Sequence, residues 1–394
     1  MKILKLTFPL FLFVFFSIPI YSQVRDGVYQ ATKVEKGKEL PNIINMKVTS
    51  LGNGLTVYTE QTDEGKKKPL DGTYHFEIHG NRRHIIGNFS KGLAEGEWTE
   101  FMYSDIYRIY NFKDGKPDGQ TYKIRDDGSK YDISTYKDGV IRHFITYHAN
   151  GQLEEEHSYD EEGRRQGKIT TYDKDGKIIA ETNYNHGLYH GQKMEVKSNG
   201  SKEILTYDNG ILKGEYFQFY SNGNKETEGL YSPDHKKDGK WTHWYENGDL
   251  QKIENYLDGK FDGEKLTFYE RGLPRSIEEY TENKLNGKKI DYDEEPNIVV
   301  SEASFISGKP DGEFRSYHNG QLWRESLYKD GKMLREKEYK NGKISVLRLI
   351  DDNGRMVDVQ QYDATGKATK RNKEYKKPAS ITLKEDASGI IDIE

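Results

Sequence analysis

From Gly72 onward the chain is written in short runs of six or seven residues, in which aromatic or aliphatic side chains alternate with charged or polar ones. A glycine-bearing turn closes each run. The stretch GKWTHWYENGDLQKIENYLDGKFDG, Gly239 to Gly263, shows the pattern whole: a glycine, an aromatic run, Asn-Gly, a second run, then Asp-Gly-Lys. Alternation with a period of two predicts half-buried β-strands, because successive side chains on a strand point to opposite faces. No window longer than one such stretch escapes a glycine, and sustained 3.6-residue periodicity is absent, so helices have little room.

The stretch recurs. Its first glycine reappears at Gly72, Gly96, Gly119, Gly167, Gly191, Gly214, Gly239, Gly263, Gly287 and Gly312, at intervals of 23 to 25 residues apart from one doubled interval of 48. Aromatics follow that glycine at Trp98, Tyr216, Trp241 and Phe314, and again at Phe101, Phe219, Trp244 and Tyr317. Mid-unit turns stand at Asp127-Gly128, Asn150-Gly151, Asp175-Gly176, Asn199-Gly200, Asn222-Gly223, Asn247-Gly248 and Asn319-Gly320. Each predicts a two-residue type I′ hairpin, in which both central residues take positive φ and Asn or Asp before Gly does so at least cost. A second turn separates the units, at Asp114-Gly115, Asp138-Gly139, Asn209-Gly210, Asp258-Gly259 and Asp330-Gly331. Gly223, Gly248, Gly259 and Gly320 are the structural turn positions of this reading.

The expected fold is therefore all-β: an elongated repeat array of antiparallel hairpins, about 24 residues per two-stranded unit, forming a single-layer meander that twists or coils. The core G-x-W-x-x-W/Y-Y-x-N-G-x-L and its Tyr-x-x-Gly-Lys-x-x-Gly exit resemble the variant MORN repeat, found in bacterial proteins grouped as YwqK-type antitoxins of toxin-antitoxin systems. The resemblance covers Gly72 to about Arg335 and is best in the units at Gly214, Gly239 and Gly312. It implies a β-hairpin scaffold for protein or membrane-surface contacts, with no agreed catalytic residues.

Four segments follow: 1–22, 23–71, 72–335 and 336–394. Lys2 and Lys5 precede an apolar run from Phe8 to Ile20, too short for the ~20 residues of a membrane-spanning helix and suited to a signal peptide cleaved after Ser22. Residues 23–71 alternate as strands do without the repeat, and read as a cap over the exposed first edge of the array. Residues 336–394 hold degenerate repeats and a charged tail carrying ITL and GIIDIE. The chain is thus expected to be exported, periplasmic or extracellular, with no membrane span once the signal is removed. That location places an exported immunity role ahead of a cytoplasmic antitoxin one.

Composition sharpens this. Apolar side chains make up 34% and charged ones 32%, while Tyr occurs 29 times, Phe 16, Gly 39 and Pro 10. The mixture suits thin, half-exposed sheets joined by tight turns rather than a deep-cored enzyme. A net charge of -5, with both signs interspersed, leaves no basic stripe for nucleic acid. The absence of cysteine excludes disulfides, thiolate nucleophiles, zinc-thiolate sites and a lipidated cysteine.

No catalytic residue, cofactor or metal is expected. His75 and His79 share a strand face but stand about 13 Å apart. Asp173-Lys174-Asp175-Gly176 imitates part of a calcium loop, yet Thr171 and Thr182 occupy positions that need Asp and Glu. Glu154-Glu155-Glu156 and Glu278-Glu279 supply neighbouring acids without a pocket-forming motif. The aromatic ladder is the remaining candidate, and Trp241, Trp244, Tyr245, Trp98 and Trp323 are the expected binding residues. A non-enzymatic envelope scaffold binding another protein through such anchors is the first reading. A glycan-binding wall module is the second, since aromatic hairpins of this size also resemble bacterial cell-wall-binding repeats. Variation of the aromatic positions between units favours the protein partner.

Overall fold

The computed structural model describes residues 24–51, 55–62, 64–78 and 82–373, with the strands Leu383–Glu385 and Ile391–Ile393 beyond them. The expected signal peptide and its cleavage site, the Gly52-Asn53-Gly54 turn, His79 and most of the tail lie outside the described residues. No helix occurs among them, and every strand pair is antiparallel. The chain divides into two compact units, residues 1–188 and 189–394.

In the first unit, Gly27–Glu35 pairs on one side with Lys38–Ser50 and on the other with Gly72–Ile78, so the segment before the repeats joins their first strand through Gly27–Glu35. The ladder then runs strand to neighbouring strand through Arg83–Ser90, Leu93–Met102 and Asp105–Lys113. In this part the strands that precede the repeats cover apolar side chains of the first repeats within the same sheet. Lys38–Ser50 continues into Thr56–Gln61, which folds back across the sheet, with Tyr58 N donating to Gly92 O at 2.8 Å and Leu70 N to Tyr58 O at 3.1 Å. The Tyr58 ring meets Phe89 at 4.8 Å and Trp98 at 5.5 Å. The physical reason is apolar content: Ala31, Met46, Val48, Phe76, Ile78, Ile85, Phe89, Trp98, Tyr110 and Phe112 form one buried cluster, which a sheet exposed on both faces could not bury.

In the second unit, substantial contacts between strands are confined to neighbours in the meander, from Leu188–Val196 to Ala368–Lys373. It is a single layer with two open faces. The tail strands Leu383–Glu385 and Ile391–Ile393 pair with each other in a sheet of their own rather than extending this one.

The turns divide into two kinds. Those between units are type I′ as expected, with φ of 53° and 80° at Asp258 and Gly259. Most mid-unit turns are not. At Tyr245–Asp249 the loop has three residues: Tyr245 N donates to Asp249 O at 2.8 Å, Gly248 N donates to Tyr245 O at 2.9 Å, and only Gly248 has positive φ, 94°. This is a type I turn followed by a glycine bulge. Asn247 keeps ordinary φ because its side chain works on the backbone instead, accepting from Asp249 N at 2.9 Å. Gly223, with φ of 90°, sits in the same kind of loop, whereas Asn319 and Gly320 make a true type I′ turn with φ of 48° and 74°. The periodic first glycine marks a β-bulge inside a strand: Gly214 has φ of 105° where the register slips between Leu205 and Tyr207.

Candidate binding face

Residues two apart on a strand share a face, and register carries that face across the sheet. One face of the second unit carries Tyr216, Trp241, Tyr256, Phe261 and Tyr280, whose rings follow one another at centroid distances of 5.4 Å (Tyr216 to Trp241), 6.4 Å, 4.7 Å and 5.4 Å. Among them run Glu254, Lys265, Glu278 and Lys289, paired residue to residue across four strands. Lys237 lies over the rings of Trp241 at 4.1 Å and Tyr256 at 5.0 Å. This face is largely satisfied by itself.

Trp241 and Trp98 stand out as structural. Trp98 is fully buried and Trp241 is 1% exposed. Each ring covers a glycine on the adjoining strand, Gly87 under Trp98 and Gly229 under Trp241, where an added Cβ would lie 2.6 Å and 2.2 Å from the ring. Each indole N–H donates to a carbonyl, Trp98 Nε1 to Asn88 O at 2.9 Å and Trp241 Nε1 to Leu230 O at 3.1 Å. Neither can serve as a surface contact, which corrects the expectation for both. Tyr245 is also tied down: its hydroxyl donates to Phe268 O at 2.9 Å in the next unit. Tyr220 to Trp244 O at 2.8 Å and Tyr269 to Tyr292 O at 3.0 Å repeat that bond 23 or 24 residues apart. These tyrosines staple successive units.

The opposite face holds Trp244. Side-chain alternation places Val196, Phe219, Trp244, Phe268, Tyr292 and Tyr317 on it, one per unit, each at or next to the end of its strand before the mid-unit turn, and all half-buried. The row behind them is Met194, Phe217, Thr242, Leu266, Ile290 and Arg315, apolar at four of six positions. Trp323 lies further along on this face, 39% exposed, with the Arg324 guanidinium 4.4 Å from its ring. The indole N–H groups of Trp244 and Trp323 make no hydrogen bond within the described residues. The column was hard to see in the sequence, because counting from the first glycine scatters it. Counting back from the mid-unit Asn-Gly aligns it.

The acids are consumed locally. Glu155 accepts from Thr171 at 2.9 Å and pairs with His157 at 2.6 Å, whereas Glu156 pairs with His143 at 2.7 Å. His75 pairs with Glu39 at 2.5 Å. Asp173 Oδ1 accepts from Asp175 N at 3.0 Å and Lys177 N at 2.9 Å, so the calcium-like segment is a side-chain-capped turn. Reading from sequence missed the buried carboxylates. Glu100, fully buried, pairs with Arg83 and accepts from the Tyr110 hydroxyl at 2.5 Å. Glu254 accepts from Lys252 at 2.9 Å and from the Tyr256 hydroxyl at 3.2 Å, while His243 Nε2 stands 3.2 Å from its other side as an ion-pair partner. Burial pushes the Glu254 carboxyl up, but His243 and Lys252 outweigh it and hold the group at about 2.

Four segments, 143–161, 165–186, 237–258 and 310–330, match the MORN repeat variant. Two fall in each unit, and they include the repeats beginning at Gly239 and Gly312. No curated protein matches the chain. The chain is thus an all-β array of hairpin repeats, four of which are similar to the MORN repeat variant.

Proposed function

We propose that the protein is a non-enzymatic scaffold of the cell envelope that binds another protein along the face carrying Phe219, Trp244, Phe268, Tyr292 and Trp323. The observation behind this reading is that the second unit is one layer thick, which leaves that face half-exposed with an aromatic in most units. Trp, present at Trp244 and Trp323, is among the residue types that dominate binding energy at protein interfaces. Because the column holds an aromatic in five of its six positions, Val196 excepted, variation argues less against a glycan. The mostly apolar row behind the column does argue against one, since it offers few partners for sugar hydroxyls. A scaffold role also suits the titratable groups, whose hydrogen bonds and ion pairs run to neighbours within the sheet.

Two experiments test it. A photo-crosslinking residue placed at Trp244 or Trp323 in cells should trap one protein, and the same residue at Lys265 on the other face should not. Equal trapping from both faces, or none, removes the reading. Export rests on the Phe8–Ile20 run. The native N-terminus should be Gln23, and an intact Met1 on a cytoplasmic protein would favour an intracellular antitoxin role instead.

A further inference from the structure

An asparagine before a glycine is open to one covalent change, because glycine has no side chain to hinder it. Once a solvent base has taken the proton of the glycine N–H, that nitrogen attacks Cγ of the asparagine. The Cγ–Nδ2 bond breaks and the amide leaves as ammonia. Water then opens the cyclic imide at either carbonyl, giving aspartate or isoaspartate, whose backbone is one carbon longer. A fold resists this in two ways: the glycine N–H must first give up any hydrogen bond it makes, and bonds to the asparagine side chain keep Cγ away from the nitrogen.

Exposure does not separate the Asn-Gly pairs, since Asn150, Asn222, Asn247, Asn319 and Asn341 are all exposed. Their hydrogen bonds do. In the three-residue loops both kinds of resistance are present. Gly223 N donates to Tyr220 O at 3.0 Å, while Asn222 Oδ1 accepts from Asn224 N at 2.9 Å and its Nδ2 donates to Glu246 O of the next hairpin at 2.9 Å. Asn150 is held alike: Gly151 N donates to His148 O at 2.9 Å, Oδ1 accepts from Gln152 N at 3.1 Å and Nδ2 donates to Lys174 O at 2.7 Å. Asn247, already capping Asp249 N, also donates to Asp249 Oδ2 at 3.0 Å. Asn319-Gly320 and Asn341-Gly342 stand in two-residue turns instead, with φ of 48° and 74° in the first and 49° and 73° in the second. Neither side-chain amide and neither glycine N–H makes a hydrogen bond within the described residues. The peptide joining the two central residues of such a turn lies outside the ladder, so it rotates toward the side chain without breaking a strand pair. The two turns close successive hairpins on the same side of the sheet, and a shallow hollow lined by Gln321, Leu322, Tyr339, Asn341 and Gly342 separates them.

We infer that Asn319 and Asn341 are sites of spontaneous modification, at which the folded protein converts two neighbouring turns to aspartate and isoaspartate, while Asn150, Asn222 and Asn247 are kept intact. Each conversion adds one negative charge, and the iso form lengthens the backbone of a turn that has only two residues. The end of the array near Trp323 therefore changes as the molecule ages, whereas the turns beside Phe219 and Trp244 do not. This inference is independent of the binding reading.

The test is a time course of the full chain held in mildly alkaline buffer, read by peptide mapping with mass spectrometry, beside the same chain unfolded in guanidinium chloride. In the folded chain Asn319 and Asn341 should convert about tenfold faster, or more, than Asn222 and Asn247, which is the worth of one or two hydrogen bonds. In the unfolded chain the four should convert at similar rates, since each precedes a glycine. Asn319 and Asn341 converting no faster than Asn222 and Asn247 in the folded chain overturns the inference. So does an unfolded chain that keeps the folded order of rates, because the difference would then lie in the local sequence and not in the turns.

Discussion

Gly229 and Trp241 behave as one residue split over two strands. The missing side chain makes the space, and the indole fills it, closing over backbone that glycine would otherwise leave bare. Gly229→Ala should therefore destabilise the second unit by about 1–3 kcal/mol, read by chemical denaturation, because the new methyl meets the ring rather than a flexible chain end. Trp241→Phe should lose both area and the bond to Leu230 O. A cost for Gly229→Ala no greater than that of an exposed surface change would show the ring does not rest there. Glu254 gives a second test. Its carboxyl is lowered from 4.5 to about 2, so its share of stability is complete above pH 4.5 and is lost as pH falls toward 2. That share amounts to up to about 3 kcal/mol. The stability gap between the wild type and Glu254→Gln should narrow between pH 5 and pH 3 in thermal melts. A constant gap would contradict the assignment.

The hairpin is set by its turns and staples together. Gly248→Val should cost about 1–3 kcal/mol, since φ of 94° is strained for a β-branched residue, while Asn247→Ala should cost less because only its side-chain bonds are lost. Tyr245→Phe should cost about 0.5–1.5 kcal/mol by removing the staple to Phe268 O. A melt unchanged by Tyr245→Phe would mean that units are joined by the strand ladder alone. The strands and the positions of the turns were legible in the sequence, because alternation and Asn-Gly or Asp-Gly are local signals. The turn type was not. Asn before Gly serves both a two-residue and a three-residue loop, and the choice depends on whether the Asn side chain caps the backbone. The bulge at the first glycine was hidden for a similar reason, since a glycine that opens a turn and one that bends a strand look alike in a single chain.

For the molecule as a whole, the sequence showed an array but not which aromatics it would bury. Trp98 and Trp241 stand two residues after their glycines and Trp244 five, and only the first two have a glycine across the strand to lie on, one that comes from another part of the repeat. The fold-back of Thr56–Gln61 was equally out of reach, because it answers to apolar surface gathered from several strands. What remains open on the second unit is one row of rings, and oxidative footprinting of the four tryptophans, read by mass spectrometry with and without the crosslinked partner, addresses it directly. In the free protein Trp244 and Trp323 should react much faster than Trp98 and Trp241, and the partner should protect Trp244. Four tryptophans reacting alike, or Trp244 as reactive in the complex as alone, would contradict the account.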